Sequence, residues 1–280
     1  MRSVRHIRVL VCSVLLVALS CAPAPAQQTQ AAAKQTQKPA KPYEPAVGQE
    51  GKDVVWVPTP DVLVNKMLDM AGTTPKDFVI DLGSGDGRTV IAAAKRGARA
   101  LGIEYNPDMV ELSKRNAAKA GVADKANFMK ADLFETDFSK ATVITMFLLP
   151  SINMQLRPKL LDLKPGTRIV SNTFTMEDWE ADETATVEDG CTGSWCTALF
   201  WIVPAKVEGT WQLPQGELKL TQQFQKVTGT LGTTPVTGRL RGDELTLEAG
   251  RERYTGRVNG NTIQGTVSGG TDGSFTAMRR

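Results

Sequence analysis

Histidine is almost absent from this sequence: one residue in 280, His6. Cysteine is scarce at four residues, aromatic side chains make up 6%, and neither sign of charge dominates, with 33 Lys and Arg against 30 Asp and Glu. The apolar run near the start, Val9 to Leu19, falls well short of the roughly 20 residues a bilayer-spanning helix needs. It is preceded by Arg2, Arg5 and Arg8 and followed by Ala24-Pro25-Ala26 ahead of Gln27, the layout of a cleaved export signal over residues 1–26. The expected location is therefore periplasmic or secreted, with envelope association open; a lipoprotein cut before Cys21 is disfavoured because Ala18 stands where leucine is usual.

These shortages exclude much. Loss of the signal removes the single histidine, and with it a Ser-His-Asp triad, a histidine base and a histidine-held metal, so no metal site is expected. It also removes three arginines, leaving as many basic as acidic residues, so no nucleic-acid partner is indicated. Of the cysteines, Cys12 and Cys21 lie in or beside the signal; Cys191 and Cys196, close together in an exported chain with no further ligands, point to a local disulfide rather than half a zinc site.

Residues 27–53 are rich in Gln, Ala, Lys and Pro without apolar periodicity, and read as a disordered tether. Thr59-Pro60 then predicts an N-cap and a proline in the first helical position, with Val62, Leu63, Met67, Leu68 and Ala71 as an apolar stripe ending at Gly72. That helix is expected to lie over the site as a lid. Strands are predicted at about 77–82, 98–104, 126–131, 142–147 and 167–172, with helices at 88–96, 107–120 and 151–162, the alternation of a parallel sheet covered on both faces. Two further β-rich runs, Thr184 to Glu188 and Thr197 to Val203, flank the cysteines. After Pro204 the texture is all-β: Thr-Gly steps recur at 228–229, 237–238 and 255–256, with an Asn259-Gly260 hairpin turn, suggesting a meander or barrel of about seven short strands over 205–280.

The most informative stretch is Phe78-Val79-Ile80-Asp81-Leu82-Gly83-Ser84-Gly85-Asp86-Gly87-Arg88. An apolar strand running into alternating glycines is a nucleotide-type turn, where the backbone approaches a ligand without a Cβ in the way. The dinucleotide fingerprint would be G-x-G-x-x-G; here the third glycine comes one position early, and Asp81 and Asp86 would face a diphosphate with carboxylates. A nicotinamide oxidoreductase is disfavoured on both counts. S-adenosylmethionine, cationic and free of phosphate, suits the site. Glu104, ending the next strand, stands where a carboxylate accepts ribose hydroxyls, and Asp132, ending the third, stands where one accepts the adenine amino group.

With these residues in place the sequence resembles the class I S-adenosylmethionine-dependent methyltransferases and, more narrowly, the ATP synthase c-subunit lysine methyltransferase family and its bacterial relatives. The narrower likeness rests on Trp56-Val57-Pro58-Thr59-Pro60, the Asp81 to Arg88 turn, Gly97 to Glu104, Phe147-Leu148-Leu149-Pro150 and Ile169-Val170-Ser171, and covers roughly residues 54–204. The resemblance implies an α/β, Rossmann-like sheet closed by a terminal antiparallel hairpin, followed by the small all-β domain. It implies donor binding by Asp81, Gly83, Ser84, Gly85, Asp86, Gly87, Glu104 and Asp132. It also implies an acceptor channel at Trp56, Pro58, Thr59, Phe147 and Pro150, taking a protein lysine. The Asn/Asp-Pro-Pro-aromatic clamp for planar amines is missing. A second class stays open: an exported binding module that keeps the fold without transferring, since the donor is made in the cytoplasm.

Overall fold

The computed structural model describes residues 43–270 and 272–280; the expected signal over 1–26 and the expected tether up to residue 42 lie outside the described residues. From Phe78 onward strands and helices alternate: β1 (Phe78–Leu82), α2 (Arg88–Lys95), β2 (Arg99–Glu104), α3 (Pro107–Lys119), β3 (Ala126–Lys130), β4 (Val143–Met146), α4 (Pro150–Leu161) and β5 (Arg168–Asn172), all preceded by α1 (Asp61–Met70). The hairpin β6 (Glu183–Thr186) and β7 (Thr197–Ile202) completes a seven-stranded sheet of order β3-β2-β1-β4-β5-β7-β6, with β7 antiparallel to β5.

The continuous apolar runs of the central strands follow from this layering. Successive side chains of a strand point to opposite faces, so Val79, Val143 and Val170 pack with α1, α2 and α3, while Ile80, Ile144 and Ile169 pack with α4. On the first face α2 presents Val90, Ala93 and Ala94, all buried, and the alanines let helix and sheet approach closely. Helix α3 begins as its sequence dictates: Asn106 caps it by accepting from the amides of Asp108 and Met109, and Pro107 sits at its start. Such a cap stabilises by about 1 kcal/mol.

Helix α1 departs from expectation. Its cap position is Pro60, not Thr59, and no side chain bonds the free amides; Thr59 instead accepts from Asn172 Nδ2 at 3.3 Å and through its carbonyl from Arg88 at 2.9 Å. Nor is α1 a lid. Leu63, Val64, Met67 and Leu68 are buried in the core of the first face, because its stripe matches the sheet surface beside β5 and β7. The covering role falls to the segment before it. There the expected tether gives way, within 43–53, to a turn whose ends pair through Gly48 N–H to the Trp56 carbonyl (2.8 Å) and Trp56 N–H to the Gln49 carbonyl (2.9 Å).

The C-terminal strands β8 (Gly209–Leu213), β9 (Gly216–Gln223), β10 (Lys226–Leu231), β11 (Thr234–Arg241), β12 (Glu244–Ala249), β13 (Glu252–Asn259), β14 (Thr262–Ser268) and β15 (Gly273–Arg279) close into a barrel. There is one strand more than expected: β8 lacks the Thr-Gly step that marks β10, β11 and β13, and its register with β15 is Gln212 against Met278 and Trp211 against Arg279. The β13–β14 turn lies at Gly260-Asn261, since Asn259 pairs with Thr262. The recurrent glycines belong to strand bends. A Cβ on Gly229 would lie 1.9 Å from the Lys219 carbonyl oxygen, and one on Gly265 2.0 Å from that of Thr255, so only glycine lets neighbouring strands cross this closely. The barrel is joined to the sheet by Arg239–Asp182 (2.6 Å), Arg241–Glu183 (3.0 Å) and the stacking of Phe224 on Trp179.

Candidate functional site

At the carboxyl ends of the parallel strands lies a cavity of about 220 Å³, the place where open α/β sheets bind ligands. Strand order divides it. The acidic ends of β1, β2 and β3 lie on one side; on the other, Phe147 after β4, Phe174 after β5 and Trp195 before β7 bring aromatic rings to the same cavity.

On the acidic side, Asp81 is buried and accepts a 2.6 Å bond from Thr145 Oγ1. Removal from water pushes its carboxyl up to about 7, and the negative charges of Glu104 and Asp86 add to the effect against the Thr145 bond. The turn that follows requires all three glycines, for Gly83, Gly85 and Gly87 have φ of 78°, 54° and 82°. Their surroundings differ. A Cβ on Gly85 would meet Trp56 Nε1 at 2.6 Å, at the cavity wall, whereas one on Gly87 would meet Phe128 and Ser113 in the interior. Gly87 therefore serves helix packing and the start of α2, and does not line the cavity as expected. Ser84 does line it, and its buried hydroxyl lacks a partner.

Glu104 is held rigidly, accepting from Gly85 N–H on one oxygen and Asn106 N–H on the other, each at 2.9 Å. A carboxylate oxygen has a second lone pair, so both remain able to accept from vicinal hydroxyls. Asp86 is neutralised by Arg88 at 2.7 Å, a residue that sequence pattern marks only as the start of a helix. Asp132 accepts from Phe134 N–H at 2.9 Å and from Lys52 Nζ at 2.6 Å, and the Lys52 bond holds it below the usual carboxylate range. Lys52 itself lies over the rings of Tyr105 and Phe134, at 4.9 and 5.8 Å, so its ammonium and two aromatic rings were all missed at this end. Nothing in residue type alone signals a lysine 80 positions away in the chain.

The residues fit a cationic adenosyl donor. The nearest charges to the buried Asp81 are themselves negative, which leaves a carboxyl lacking a cation, and the bare Gly85 turn offers a surface without a side chain. A diphosphate would add negative charge to the same place.

Trp56, Pro58, Thr59 and Phe147 also line the cavity; of these expected acceptor-channel residues, Trp56 lies against the Gly85 turn on the acidic side, and Phe147 is on the other. Pro150 does not line it: it forms the first residue of α4, and Leu149 and Ile152 reach the cavity in its place. Phe147 stacks on Phe174 at 5.8 Å and meets Trp195 edge-on at 6.0 Å. Neither Phe174 nor Trp195 was a candidate from sequence. The signal that would have found Trp195 is its place inside the cysteine pair, since Cys191 and Cys196 form a disulfide with Cα atoms 5.9 Å apart.

Comparison with known proteins agrees with this geometry. The model of the ANTKMT methyltransferase domain matches residues 81–183. A protein-lysine N-methyltransferase of Saccharolobus islandicus is 46% identical over 140 residues, 49% of this chain and 87% of that one. The ATP synthase c-subunit lysine N-methyltransferase of Mus musculus is 41% identical over 107 residues, 38% of this chain; the match spans less than half of that relative, 43% of its length. Among solved structures, an RNA methyltransferase from Salinibacter ruber in complex with S-adenosyl-L-homocysteine is 46% identical, covering 54% of this chain and 96% of that one with a TM-score of 0.51.

Proposed function

The chain belongs to the S-adenosylmethionine-dependent methyltransferases that these relatives represent, and from that premise we propose that it methylates the side-chain amine of a protein lysine. The observation that carries this reading is the charge of the cavity. Its walls hold the carboxylates of Glu50, Asp53, Asp81, Asp86, Glu104 and Asp132 against two cations, Lys52 and Arg88, and each cation is already paired with one of those carboxylates. A phosphate backbone entering here would be repelled, since nucleic-acid sites are built from basic stripes; a lysine ammonium would be drawn in. The names of the Saccharolobus and Mus musculus relatives point to the same acceptor class, while that of the Salinibacter protein names RNA for that protein.

The donor, when bound, supplies a methyl group already activated by a sulfonium. The chain's residues then have three tasks. Asp81, Glu104 and Asp132 bind and orient, fixing the reacting carbon at the boundary with the aromatic half. Phe147, Phe174 and Trp195 form an aromatic passage that receives the incoming side chain as its ammonium; as the amine then leaves water beside the donor it releases its proton to solvent, since desolvation favours the neutral, nucleophilic form. Trp56 and the turn around it cover the top, keeping water from the transfer.

Incubation with methyl-labelled S-adenosylmethionine and, in parallel, an envelope protein extract and total RNA tests the reading. Label is expected in protein, released on hydrolysis as methyl-lysine; label in RNA, or in protein only on other side chains, would sink it. We further propose that the protein works outside the cytoplasm, a reading supported by the Cys191–Cys196 disulfide, because such bonds persist in oxidising compartments. Fractionation followed by N-terminal sequencing should find the protein in the envelope starting at Gln27; a cytoplasmic protein with its first 26 residues intact refutes this.

A further inference from the structure

The loop between β6 and β7 has a peculiar construction. Cys191 and Cys196 are buried and bonded to each other, yet Trp195, next to the second cysteine, is 41% exposed and turned toward the cavity. At this exposure the indole is open to a side chain entering the cavity. The loop is fixed at three points around it. The Cys196 carbonyl accepts from Val187 N–H at 2.8 Å, extending the β6–β7 ladder; Gly190 packs so closely on α1 that a Cβ there would meet Val62 at 3.3 Å; and the disulfide closes the segment between. The Trp195 ring itself meets Phe147 edge-on.

We infer that Trp195 is the specificity-determining wall of the acceptor passage, set in place by the Cys191–Cys196 disulfide, and that it captures the cationic lysine side chain against Phe147 and Phe174. This rests on the lysine reading given above. The placement favours it on three grounds. Trp195 sits on the aromatic half of the cavity, away from the carboxylates that hold the donor. Two further rings lie within 6.0 Å of it or of each other, and ammonium groups are attracted to aromatic faces, tryptophan above all. The exposed indole also lines the cavity where a lysine would first leave solvent, as does the exposed Leu149. Because the disulfide restrains the loop that carries the indole, acceptor capture depends on the oxidation state of that pair, while donor binding does not.

The test uses the full-length chain, labelled S-adenosylmethionine and a degenerate pentapeptide library with lysine fixed at its centre, alongside a matched library with arginine. For Trp195→Ala the KM for the lysine library should rise about 5- to 10-fold, with the donor Kd from calorimetry within twofold of wild type and Trp195→Phe recovering most of the loss. Cys191→Ser/Cys196→Ser should raise the same KM by a smaller factor; reductant should reproduce that rise in the wild type and have no effect on the double variant. A wild-type protein that methylates neither library defeats the lysine reading and this inference with it. A wild type that methylates the lysine library while Trp195→Ala keeps its KM, or loses donor affinity in the same proportion, defeats this inference alone.

Discussion

Asp81→Asn is expected to abolish donor binding and yet raise the stability of the donor-free protein. The two effects share one cause. The Asp81 carboxyl is buried, bonded by the Thr145 hydroxyl, and sits near two further carboxylates, which together with burial push it up to about 7. Its unfolded value is 3.8, so between about pH 4 and 7 the native state holds a proton that the unfolded chain has released. The contribution of this group to stability is therefore full below about pH 4 and is lost as pH rises toward 7. Asparagine has nearly the same shape, keeps an oxygen for Thr145 and carries no charge, so the variant should gain over wild type through that window and hold the gain above it. A donor-free Tm higher by about 4 °C or more at pH 8, shrinking toward zero at pH 4, is the expected scan.

Donor affinity should move the opposite way. A buried charge left without its partner costs roughly 3 kcal/mol, about a 100-fold change in affinity, and calorimetry on Asp81→Asn should show at least that loss. In the wild type, the cationic donor requires the ionised carboxylate, so affinity should fall about tenfold per pH unit below 7, a dependence missing from the variant. Should the variant bind the donor within a few-fold of wild type, or melt lower at pH 8, Asp81 would not be the donor's counter-charge.

What could be read in the sequence, and what could not, follows a physical line. The strands and helices of the sheet are legible because each is fixed by its own residues: Phe78–Leu82 is apolar nearly throughout since it packs on both faces, and Asn106-Pro107 starts α3 by local bonding alone. Where a position depends on distant partners, residue type misleads. Thr59 has the chemistry of a helix cap but spends its carbonyl on Arg88 and its hydroxyl on Asn172. Gly87 looks like the glycines before it, yet faces Phe128 instead of the cavity. Lys52 falls in a stretch with the composition of a tether and still reaches Asp132. In the barrel the glycine steps were visible and their reason was not, because it lies in the approach of neighbouring strands.

Gly85→Ala should strongly damage donor binding. Two independent costs meet there. The residue has φ of 54°, in the left-handed region where a Cβ costs on the order of 1 kcal/mol. The added carbon would also lie 2.6 Å from Trp56 Nε1 and 3.1 Å from its Cδ1. The indole cannot retreat freely, since the Trp56 backbone is tied at both its N–H and its carbonyl to the Gln49 and Gly48 turn; it must swing into the cavity or release the turn. Either way the Gly85 amide shifts from Glu104, which it orients at 2.9 Å. The expected result is a donor Kd raised about 100-fold, roughly 3 kcal/mol, with a Tm lowered by several degrees. Gly121→Ala separates the two costs: Gly121 has φ of 71° and nothing within 4 Å of a new Cβ, so it should lose only the backbone part, about 1 kcal/mol, while donor affinity stays unchanged. Trp56→Ala placed in the Gly85→Ala background should restore part of the affinity, because the steric cost exists only while both side chains are present. If Gly85→Ala binds the donor like wild type, the indole does not form the wall against which the donor lies.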